Sequence, residues 1–444
     1  MTTLTQKEYI TSKQLLALFI CLEIVLLLIL LKSAEISLIC FIIFPLFFYV
    51  YHQPEFGLAM ALTGRILIGL FFDNLSLELP FPILASHLII VLSGVSIYYL
   101  KNPIRPVTFY APQLWTTAIF IILLIGLTYS TNMSYGKQKV LFFAAHNLLL
   151  VVVPILIVDA EKKVRDILLA TYILGLALAI ISTFLALASP AIYRFQPSEN
   201  VNPIWFSRSL GVSLIASLFL ITTVKRRGLK LFILATWPVF IYPILRSWSR
   251  GPLLGVFLGL IVFFYLQPTI SWRLKLIAGL FIAIGGFAML AVTSNVILSR
   301  LQTPLTEEAS AAFRILAWIE AVDIFKANPL RGIGTGSFFI DFPFVPFIWP
   351  HNIFLEAASE NGIFGLFSLC MFFLTSFLLG LKNMRLAASR MTRQINIIIV
   401  TIFFFSLWNA QVSGDITGNE SIWLAAGLIC ALAAMREKER PSDQ

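Results

Sequence analysis

The sequence predicts an all-α polytopic membrane protein with about 12–14 transmembrane helices and one long outer loop. Of its 444 residues, 59% are hydrophobic and only 12% are charged, and the mean hydropathy is +0.90. Soluble domains carry about 25% charged residues, so this inventory cannot cover a water-exposed surface. The third observation is a series of apolar runs of about 20 residues, the length at which a helix crosses a bilayer. A soluble domain, a disordered chain and a disulfide scaffold are therefore excluded.

The apolar runs divide the chain into three parts. Residues 1–294 are predicted to form a bundle of about 11 spans, residues 295–351 the outer loop, and residues 352–444 the C-terminal spans with a short tail. Two pairs of runs have very short connections, which leaves the count open between about 12 and 14. The candidate spans lie near residues 14–31, 35–51, 56–73, 81–99, 110–129, 139–158, 166–188, 204–224, 230–246, 250–266, 273–294, 352–381, 395–413 and 419–435.

The basic residues predict the orientation of the bundle. A net charge of +10 would suggest nucleic-acid binding in a soluble protein, but here most lysines and arginines lie in short loops between apolar runs. With the N-terminus inside, about two thirds of them fall on the inner side, as the positive-inside rule requires. Both termini are therefore predicted to be cytoplasmic, with membrane lipids and no nucleic acid as partners.

A few polar residues lie within the apolar runs. Glu23 and Arg65 share a predicted depth, where an unpaired charge costs at least about 2.5 kcal/mol. We expect these two side chains to form an ion pair, either as a structural contact or as part of an ion path. His87 and His146 are expected to be hydrogen-bonded helix contacts, which is a more frequent role for a single intramembrane histidine than catalysis.

The cysteines and the N-terminus carry no sign of a metal site or of processing. Cys21, Cys40, Cys370 and Cys430 lie far apart in apolar runs, without a CxxC motif or a histidine at ligand spacing. They are expected to be buried thiols, and neither a metal nor a cofactor is expected. The polar N-terminus is followed by many apolar runs, which argues against a cleaved signal peptide.

The outer loop contains a helix of its own. In TEEASAAFRILAWIEAVDIFKANPL, Thr306 can cap the first turn and Asn328-Pro329 ends the helix. An apolar stripe at helical spacing is expected to lie on the membrane or on the bundle. Its members are Ile315, Trp318, Ile319, Val322 and Phe325.

Two short motifs follow that helix. Residues 331–337, RGIGTGS, lack the third glycine of a dinucleotide fingerprint, so we expect tight turns there, with anion binding by backbone N–H groups as the weaker alternative. Pro350 then places His351 at the start of a span, at the outer membrane surface. Glu356 and Glu360 follow closely enough to contact His351 or a basic partner, with a capping histidine and solvated acids as the alternative.

Several arginines depart from the positive-inside tendency on the face that carries His351. They are Arg208 at the start of a span, Arg246 and Arg250 around a turn, and Arg314 on the loop helix. Guanidinium groups match phosphate oxygens in bidentate pairs, and a histidine can accept a proton near neutral pH. The set therefore indicates a polyprenyl-phosphate ligand. Arginines that only reach toward lipid headgroups would explain each residue singly.

An ordered set of motifs between about residues 200 and 380 resembles the O-antigen ligase, or Wzy-C, superfamily. The motifs are Ser249-Arg250-Gly251-Pro252-Leu253-Leu254, Arg314 with Trp318, residues 328–334 (NPLRGIG), and His351-Asn352 with Leu355, Glu360, Gly362 and Gly365. The resemblance implies a GT-C-like glycosyltransferase of the bacterial inner membrane. Its active site would be periplasmic, and its donor would be a glycan linked to undecaprenyl diphosphate.

The same resemblance implies roles for individual residues. The loop histidine would activate the acceptor hydroxyl as a general base, typically worth about 10²–10⁴ in rate, and arginines would bind the diphosphate. Arginines can neutralise the leaving group without a metal, and direct displacement predicts inversion at the anomeric carbon. The implied catalytic residues are His351, Arg250 and Arg314, and the implied substrate-binding residues are Arg208, Arg246, Arg331, Asn352, Glu356 and Glu360.

The expected reaction transfers a polysaccharide to a lipid A core sugar. A polymerase of the same superfamily, with a second lipid-linked glycan as acceptor, is the closest alternative, and protein O-oligosaccharyltransferase activity is a further one. A glycolipid transporter of about 14 spans would place its binding groups near the bilayer midplane, often between internal repeats. The candidate groups gather at one surface instead, which favours an enzyme.

Overall fold

The protein is described by a computed structural model that covers residues 53–64, 66–67, 70, 108–190, 194–198, 201–280, 282–285, 309–341 and 346–438. Over these residues the secondary structure is helical, apart from one isolated β-bridge between Ile340 and Phe347. Six helical segments of the described part are long and apolar enough to cross a membrane. The predicted all-α polytopic membrane fold is thereby confirmed. The six segments are Met133–Ile157, Glu161–Ala188, Pro203–Thr223, Arg227–Arg246, Ile353–Arg385 and Arg390–Val412.

The helices are numbered here in chain order. They are α1 (Pro54–Ala59), α2 (Ala111–Leu127), α3 (Met133–Phe142), α4 (Leu149–Ile157), α5 (Glu161–Ala188), α6 (Pro203–Thr223), α7 (Arg227–Ala235), α8 (Trp237–Arg246), α9 (Arg250–Leu266), α10 (Ala309–Ala327), α11 (Ile353–Arg385), α12 (Arg390–Val412) and α13 (Glu420–Lys438). A π-helical turn, Phe143–Leu148, joins α3 to α4, and another, Met60–Gly64, follows α1. Residues 272–280 and 282–285 are also helical.

Several sequence predictions fall outside the described residues. These are the Glu23–Arg65 pair, His87, Cys21, Cys40, Thr306 and most of the first four spans, so the total number of spans stays a prediction. Of the other two cysteines, Cys430 is buried as expected, whereas Cys370 is exposed on α11. Cys370 shares that surface with Phe364 and Phe367, which are exposed by 61% and 52%, as side chains that face lipid are expected to be.

Asparagine caps fix where the two helices that carry candidate site residues begin. Asn202 precedes Pro203, and its side-chain oxygen accepts the N–H groups of Ile204 and Trp205 at 2.9 and 3.4 Å. Asn352 in the same way accepts the N–H groups of residues 354 and 355 at the start of α11. Such caps satisfy N–H groups that have no partner within the helix. Arg208 therefore lies in the second turn of α6, and His351 lies one residue before the cap of α11.

The predicted span 352–381 is interrupted in a way that the hydropathy pattern does not show. Gly362 has φ 65° and ψ −156°, which divides α11 into a short first segment and a long second one. The N–H of Ile363 bonds to the carbonyl of Pro329 at 2.8 Å, outside the helix. A side chain at Gly362 would collide with the carbonyl of Leu330, and its φ is costly for other residues. The loop after α10 is therefore docked into the break.

The loop helix α10 packs through a face other than the predicted stripe. Ala317 and Ala321 are fully buried, in a small cluster with Phe338. Ile315 and Ile319, by contrast, are exposed by 55% and 54%. The large apolar side chains thus point away from the described bundle, as expected for a helix that contacts lipid, while small alanines allow close approach to the loop and α11.

Helix α11 contacts several other helices of the bundle. This helix packs along α2 and also contacts α10, α12 and α13, while α5 packs on α6, and α9 on α12. The buried apolar residues of these helices form one large cluster, in which the rings of Trp423 and Phe372 pack at a tilt with 4.6 Å between their centroids. This packing places the start of α11 near α10 and the end of α12, where Asn352 donates to the carbonyl of Gln411.

Candidate active site

His351 lies in a tight loop immediately before α11. Its backbone has φ 58°, a conformation that is uncommon for residues other than glycine. The indole Nε1–H of Trp349 donates a hydrogen bond to His351 Nδ1 at 3.1 Å, and the ring of Phe347 lies edge-on at 4.7 Å between centroids. The loop therefore holds the imidazole between two aromatic rings.

The electrostatic surroundings of His351 are positive. Burial lowers its pKa from 6.5 to about 3, with further lowering by the charges of Arg314 and Arg208. An opposite charge nearby would raise the pKa of an imidazole, so the direction reports both desolvation and like-charge repulsion. His351 is consequently neutral throughout the physiological pH range.

Arg208 reaches this region from the second turn of α6. Its guanidinium donates to Asn419 Oδ1 at 3.0 Å and to the carbonyls of Asn409 and Ser413 at 2.8 Å each. All three acceptors are uncharged, and the acid whose charge acts on Arg208 is Glu420, which lines the same cleft. Its Nε–H is buried and has no hydrogen-bond partner among the described residues.

Arg314 approaches from the loop helix α10. Burial lowers its pKa, and the charge of Arg194 lowers it further. The Nε of Arg314 is buried without a hydrogen-bond partner among the described residues, and so is Nε1 of Trp318, one turn along the same helix face. Arg194 was not singled out from the sequence; it lies between spans, and its Nε donates to the carbonyl of Ser247 at 2.9 Å.

A cleft adjoins Arg208 between α6 and the start of α13. Its cavity volume is about 40 Å³, and it is lined by Trp205, Arg208, Asn409, Asn419 and Glu420 among others. Glu420 Oε1 lies 3.6 Å from Nε2 of His146. His146 is therefore buried among the helices with an acidic neighbour at the cleft, but its Nε2 has no hydrogen-bond partner among the described residues, so the expected hydrogen bond is not seen there.

Comparison with known proteins agrees with the sequence motifs. Residues 239–370, which include His351, Arg250 and Arg314, match the Wzy_C family model, described as O-antigen ligase. The predicted resemblance to the O-antigen ligase family is confirmed. An O-antigen ligase of Salmonella typhimurium is 24% identical over 316 residues, which cover 64% of this chain and 74% of that protein. The family resemblance indicates a membrane enzyme that transfers a glycan.

Other arginines that the O-antigen ligase resemblance singled out do not join His351. Arg250 is the first residue of α9 and is exposed, and it is not among the charges that act on His351. Arg246 donates to the carbonyls of Ala186 and Pro190 at 2.7 and 2.9 Å, which closes the end of α5. These contacts are structural, because they satisfy carbonyl groups that the helix leaves open.

Arg331 and Asn352 likewise make contacts within the protein. The exposed guanidinium of Arg331 lies over the ring of Tyr129 at 5.4 Å, and the Tyr129 hydroxyl donates to the Arg331 carbonyl at 2.5 Å. Asn352 caps α11 and also donates to the carbonyl of Gln411 at 3.2 Å. Both residues therefore position loops around the site.

The two acids after His351 belong to a different cluster. Lys139 is buried on α3 and lies 2.7 Å from Glu356 Oε1 and 2.8 Å from Glu360 Oε2. Of the two partners expected for Glu356 and Glu360, a basic side chain is therefore the one observed. A lone lysine near a span terminus gave no sequence signal of this pairing.

The glycine-rich segment of residues 331–337 serves as a packed turn. Gly332, Gly334 and Gly336 all have positive φ, and the N–H of Gly336 donates to Glu360 Oε2 at 2.9 Å. The N–H of Gly334 donates to the carbonyl of residue 360, and that of Thr335 to the carbonyl of Gly126. The tight turns are confirmed. Because these N–H groups bind protein acceptors, the weaker alternative of anion binding is not supported.

Proposed function

We propose that this protein transfers a polysaccharide from undecaprenyl diphosphate to a lipid A core sugar, on the periplasmic face of the bacterial inner membrane. The observation that carries the proposal is a buried positive cluster with unused donors. Arg208, Arg314 and His351 share one electrostatic environment, and two guanidinium Nε–H groups and the indole of Trp318 lack acceptors among the residues that the structure describes. Buried donors are normally satisfied, so three together favour a ligand with several acceptor oxygens.

A lipid-linked diphosphate fits this set of donors. A guanidinium group matches phosphate geometry through two parallel N–H groups, and a diphosphate offers several oxygens at short spacing. The leaving group gains negative charge as the bond to the anomeric carbon breaks, and fixed positive charges lower the energy of that transition state. This mechanism needs no metal and predicts inversion at the anomeric carbon.

The surrounding surface suits a donor with a long lipid tail. Arg314 lies on α10, whose Ile315, Leu316 and Ile319 are exposed by 55%, 50% and 54%. An apolar helix surface beside a positive cluster allows the polyprenyl chain to stay in lipid while its diphosphate reaches the arginines. Exposure of this face therefore supports entry of the donor from the membrane.

The decisive experiment uses purified protein in lipid nanodiscs with undecaprenyl-diphosphate-linked glycan, with and without lipid A core. Transfer of the glycan to the core only when core is present supports the proposal. Chain lengthening without core would assign the polymerase reaction instead, and no glycosyl transfer in either mixture would overturn both. Arg314→Gln should abolish transfer, whereas Arg273→Gln, at an exposed arginine that stacks on Trp272, should retain it.

A further inference from the structure

The loop that follows α10 lies between α11 and the end of α2. At the break in α11, the N–H of Gly334 donates to the carbonyl of Glu360 at 2.8 Å. On the other side of the loop, the N–H of Thr335 donates to the carbonyl of Gly126 at 3.1 Å. Both bonds join backbone groups, so they fit the loop to the helices without depending on a particular side chain.

Glu360 is the charged side chain that ties this loop to the helices. Its Oε2 accepts the N–H of Gly336 at 2.9 Å, and its two oxygens accept from Lys139 Nζ at 2.8 and 2.9 Å. Glu360 and Lys139 are each only 1% exposed, and hydrogen bonds to charged groups are strong in such surroundings. One carboxylate on α11 therefore links α3 to the glycine-rich turn.

Glu356 provides an internal reference for Glu360. It is also 1% exposed, and its Oε1 lies 2.7 Å from Lys139 Nζ. In the described part of the chain, however, its carboxylate makes no hydrogen bond to the loop. The two acids share one cation and differ in the bond to the N–H of Gly336.

The segment that Glu360 holds also carries Arg314. Ala317 and Ala321 of α10 are fully buried against Phe338, which lies just after the glycine-rich turn. Arg314 lies about one turn before Ala317 on the same helix. Burial and then the charge of Arg314 lower the pKa of His351. Where the turn is docked therefore sets where α10 presents its guanidinium group.

We propose that Glu360 is a positioning residue for glycan transfer: held by Lys139, it binds the N–H of Gly336 and thereby fixes α10 with Arg314 beside His351. This inference rests on the proposed function. It gives Glu360 no contact with the substrate, in place of the substrate-binding role that the O-antigen ligase resemblance implied. A misplacement of about 1 Å can lower a rate by about 10²-fold, so a carboxylate away from the reacting atoms can control kcat.

Two matched variants separate positioning from charge pairing. Glu360→Met and Glu356→Met each replace a buried carboxylate by an apolar side chain of similar length, and each leaves Lys139 with one acid. Of the two, Glu360→Met removes the acceptor of the Gly336 N–H. We expect it to lower kcat by about 10–10²-fold and to change KM for the lipid A core by less than about threefold. Glu356→Met should retain kcat within about threefold of the natural protein.

The conservative variant Glu360→Gln keeps an oxygen that can accept the N–H of Gly336. It should therefore recover most of the kcat that Glu360→Met loses. Equal kcat values in the two methionine variants, whether lowered or unchanged, would overturn the inference. So would a glutamine variant as slow as Glu360→Met, because the bond to the loop would then not be what matters.

Docking of the loop can be measured without an activity assay. Lys326 and Arg331 are exposed where α10 ends and the loop begins. We expect trypsin to cleave there faster in Glu360→Met than in Glu356→Met or the natural protein, since cleavage follows the population of the undocked loop. Unchanged cleavage would contradict the inference. If cleavage is faster but the natural protein transfers no glycan, the contact of Glu360 with the loop stands and the proposed function fails.

Gly336→Ala tests the same contact without changing a charge, and it decides the question if Glu360→Met does not fold. Gly336 has φ 74°, and an added Cβ would lie 2.7 Å from Cα of Gly136 on α3, so the loop must move away. We expect lower kcat and faster trypsin cleavage, as in Glu360→Met. Gly228→Ala, whose Cβ would have no described atom within 4 Å, is the control and should change neither. Natural kcat in Gly336→Ala would refute the positioning role.

Discussion

Two charged clusters lie on either side of the first turn of α11, and they are organised in opposite ways. Lys139 lies between two carboxylates at 2.7 and 2.8 Å, so charges of opposite sign are in direct contact there. Around His351 the charges of Arg208 and Arg314 have the same sign, and their buried Nε–H groups lack acceptors among the described residues. A buried pair that is internally matched is typical of structure, whereas buried like charges with unused donors indicate a site for an anion.

The contacts with Lys139 also explain why Glu356 and Glu360 on α11 do not interfere with the site around His351. Glu360 accepts from Lys139 and from the N–H of Gly336, and Glu356 lies against Lys139. Both carboxylates therefore interact with Lys139 on α3. Had either acid been unpaired, it would have raised the pKa of His351 and competed with a diphosphate for the arginines.

The largest effect is expected when the matched cluster is broken. Lys139→Met leaves Glu356 and Glu360 buried without a cation, which costs about 3–5 kcal/mol. Little folded protein should be recovered, as measured by size-exclusion chromatography and thermal unfolding in detergent. Lys137→Met, at an exposed lysine on the same helix, is the control and should behave as the natural protein does. The triple variant with Glu356→Gln and Glu360→Gln should recover folding, and failure to do so would contradict the pairing.

The next effect concerns the unmatched cluster. Arg208→Lys keeps the charge but cannot contact Asn419 and the carbonyls of Asn409 and Ser413 together, so we expect about 10²–10³ lower kcat. Arg250→Lys, at an exposed position, should change kcat less than threefold, a ratio worth about 0.7 kcal/mol. Steady-state transfer assays measure both. The reverse order of effects would mean that Arg250 holds the substrate and that the structural grouping is wrong.

A smaller effect is expected on the titration of His351. Arg314→Gln removes the nearer positive charge, so protonation becomes easier and the pKa should rise from about 3 toward, but not to, 6.5, because burial persists. A histidine titration by nuclear magnetic resonance measures this shift. A shift would leave the group neutral above the new pKa and charged below it. An unchanged titration would show that Arg314 does not act on His351.

The smallest effect is expected at Arg331, which the sequence placed in the site and the structure places on Tyr129. An exposed cation–π contact contributes about 0.5–1 kcal/mol. Arg331→Ala should therefore lower the melting temperature by a few degrees at most and leave transfer within about twofold, a change worth about 0.4 kcal/mol. A loss of activity comparable to that of Arg208→Lys would return Arg331 to the substrate site.

The sequence predicted where the membrane spans and the candidate site residues lie along the chain, but it did not predict which side chains contact each other. Hydropathy gave the spans of the described region to within a few residues, for example 204–224 for Pro203–Thr223. The grouping of Arg208 and Arg314 with His351 also followed from topology, since residues on one face of a membrane are brought to one level. The break at Gly362 and the alanine face of α10 were missed, because an uninterrupted apolar composition hides both features.

The site residues that were missed share a physical cause. Lys139 and Glu360 are 221 positions apart, and Arg208 and Asn419 are 211 apart. A contact over such a separation depends on which helices pack together, and periodicity along one helix carries no information about that choice. Trp349 is two residues from His351, but its role depends on the positive φ of the loop, which turns the imidazole back toward the indole.

The amino-acid sequence by itself determined that this chain is a helical membrane protein, because burial in lipid constrains composition and length at every span, and its motifs gave the resemblance to O-antigen ligases. Only the tertiary structure decided which charges are matched and which are not. Helix packing places Lys139 against two acids and brings the charges of Arg208 and Arg314 to bear on His351, and this grouping of like charges supports the proposed binding of a diphosphate.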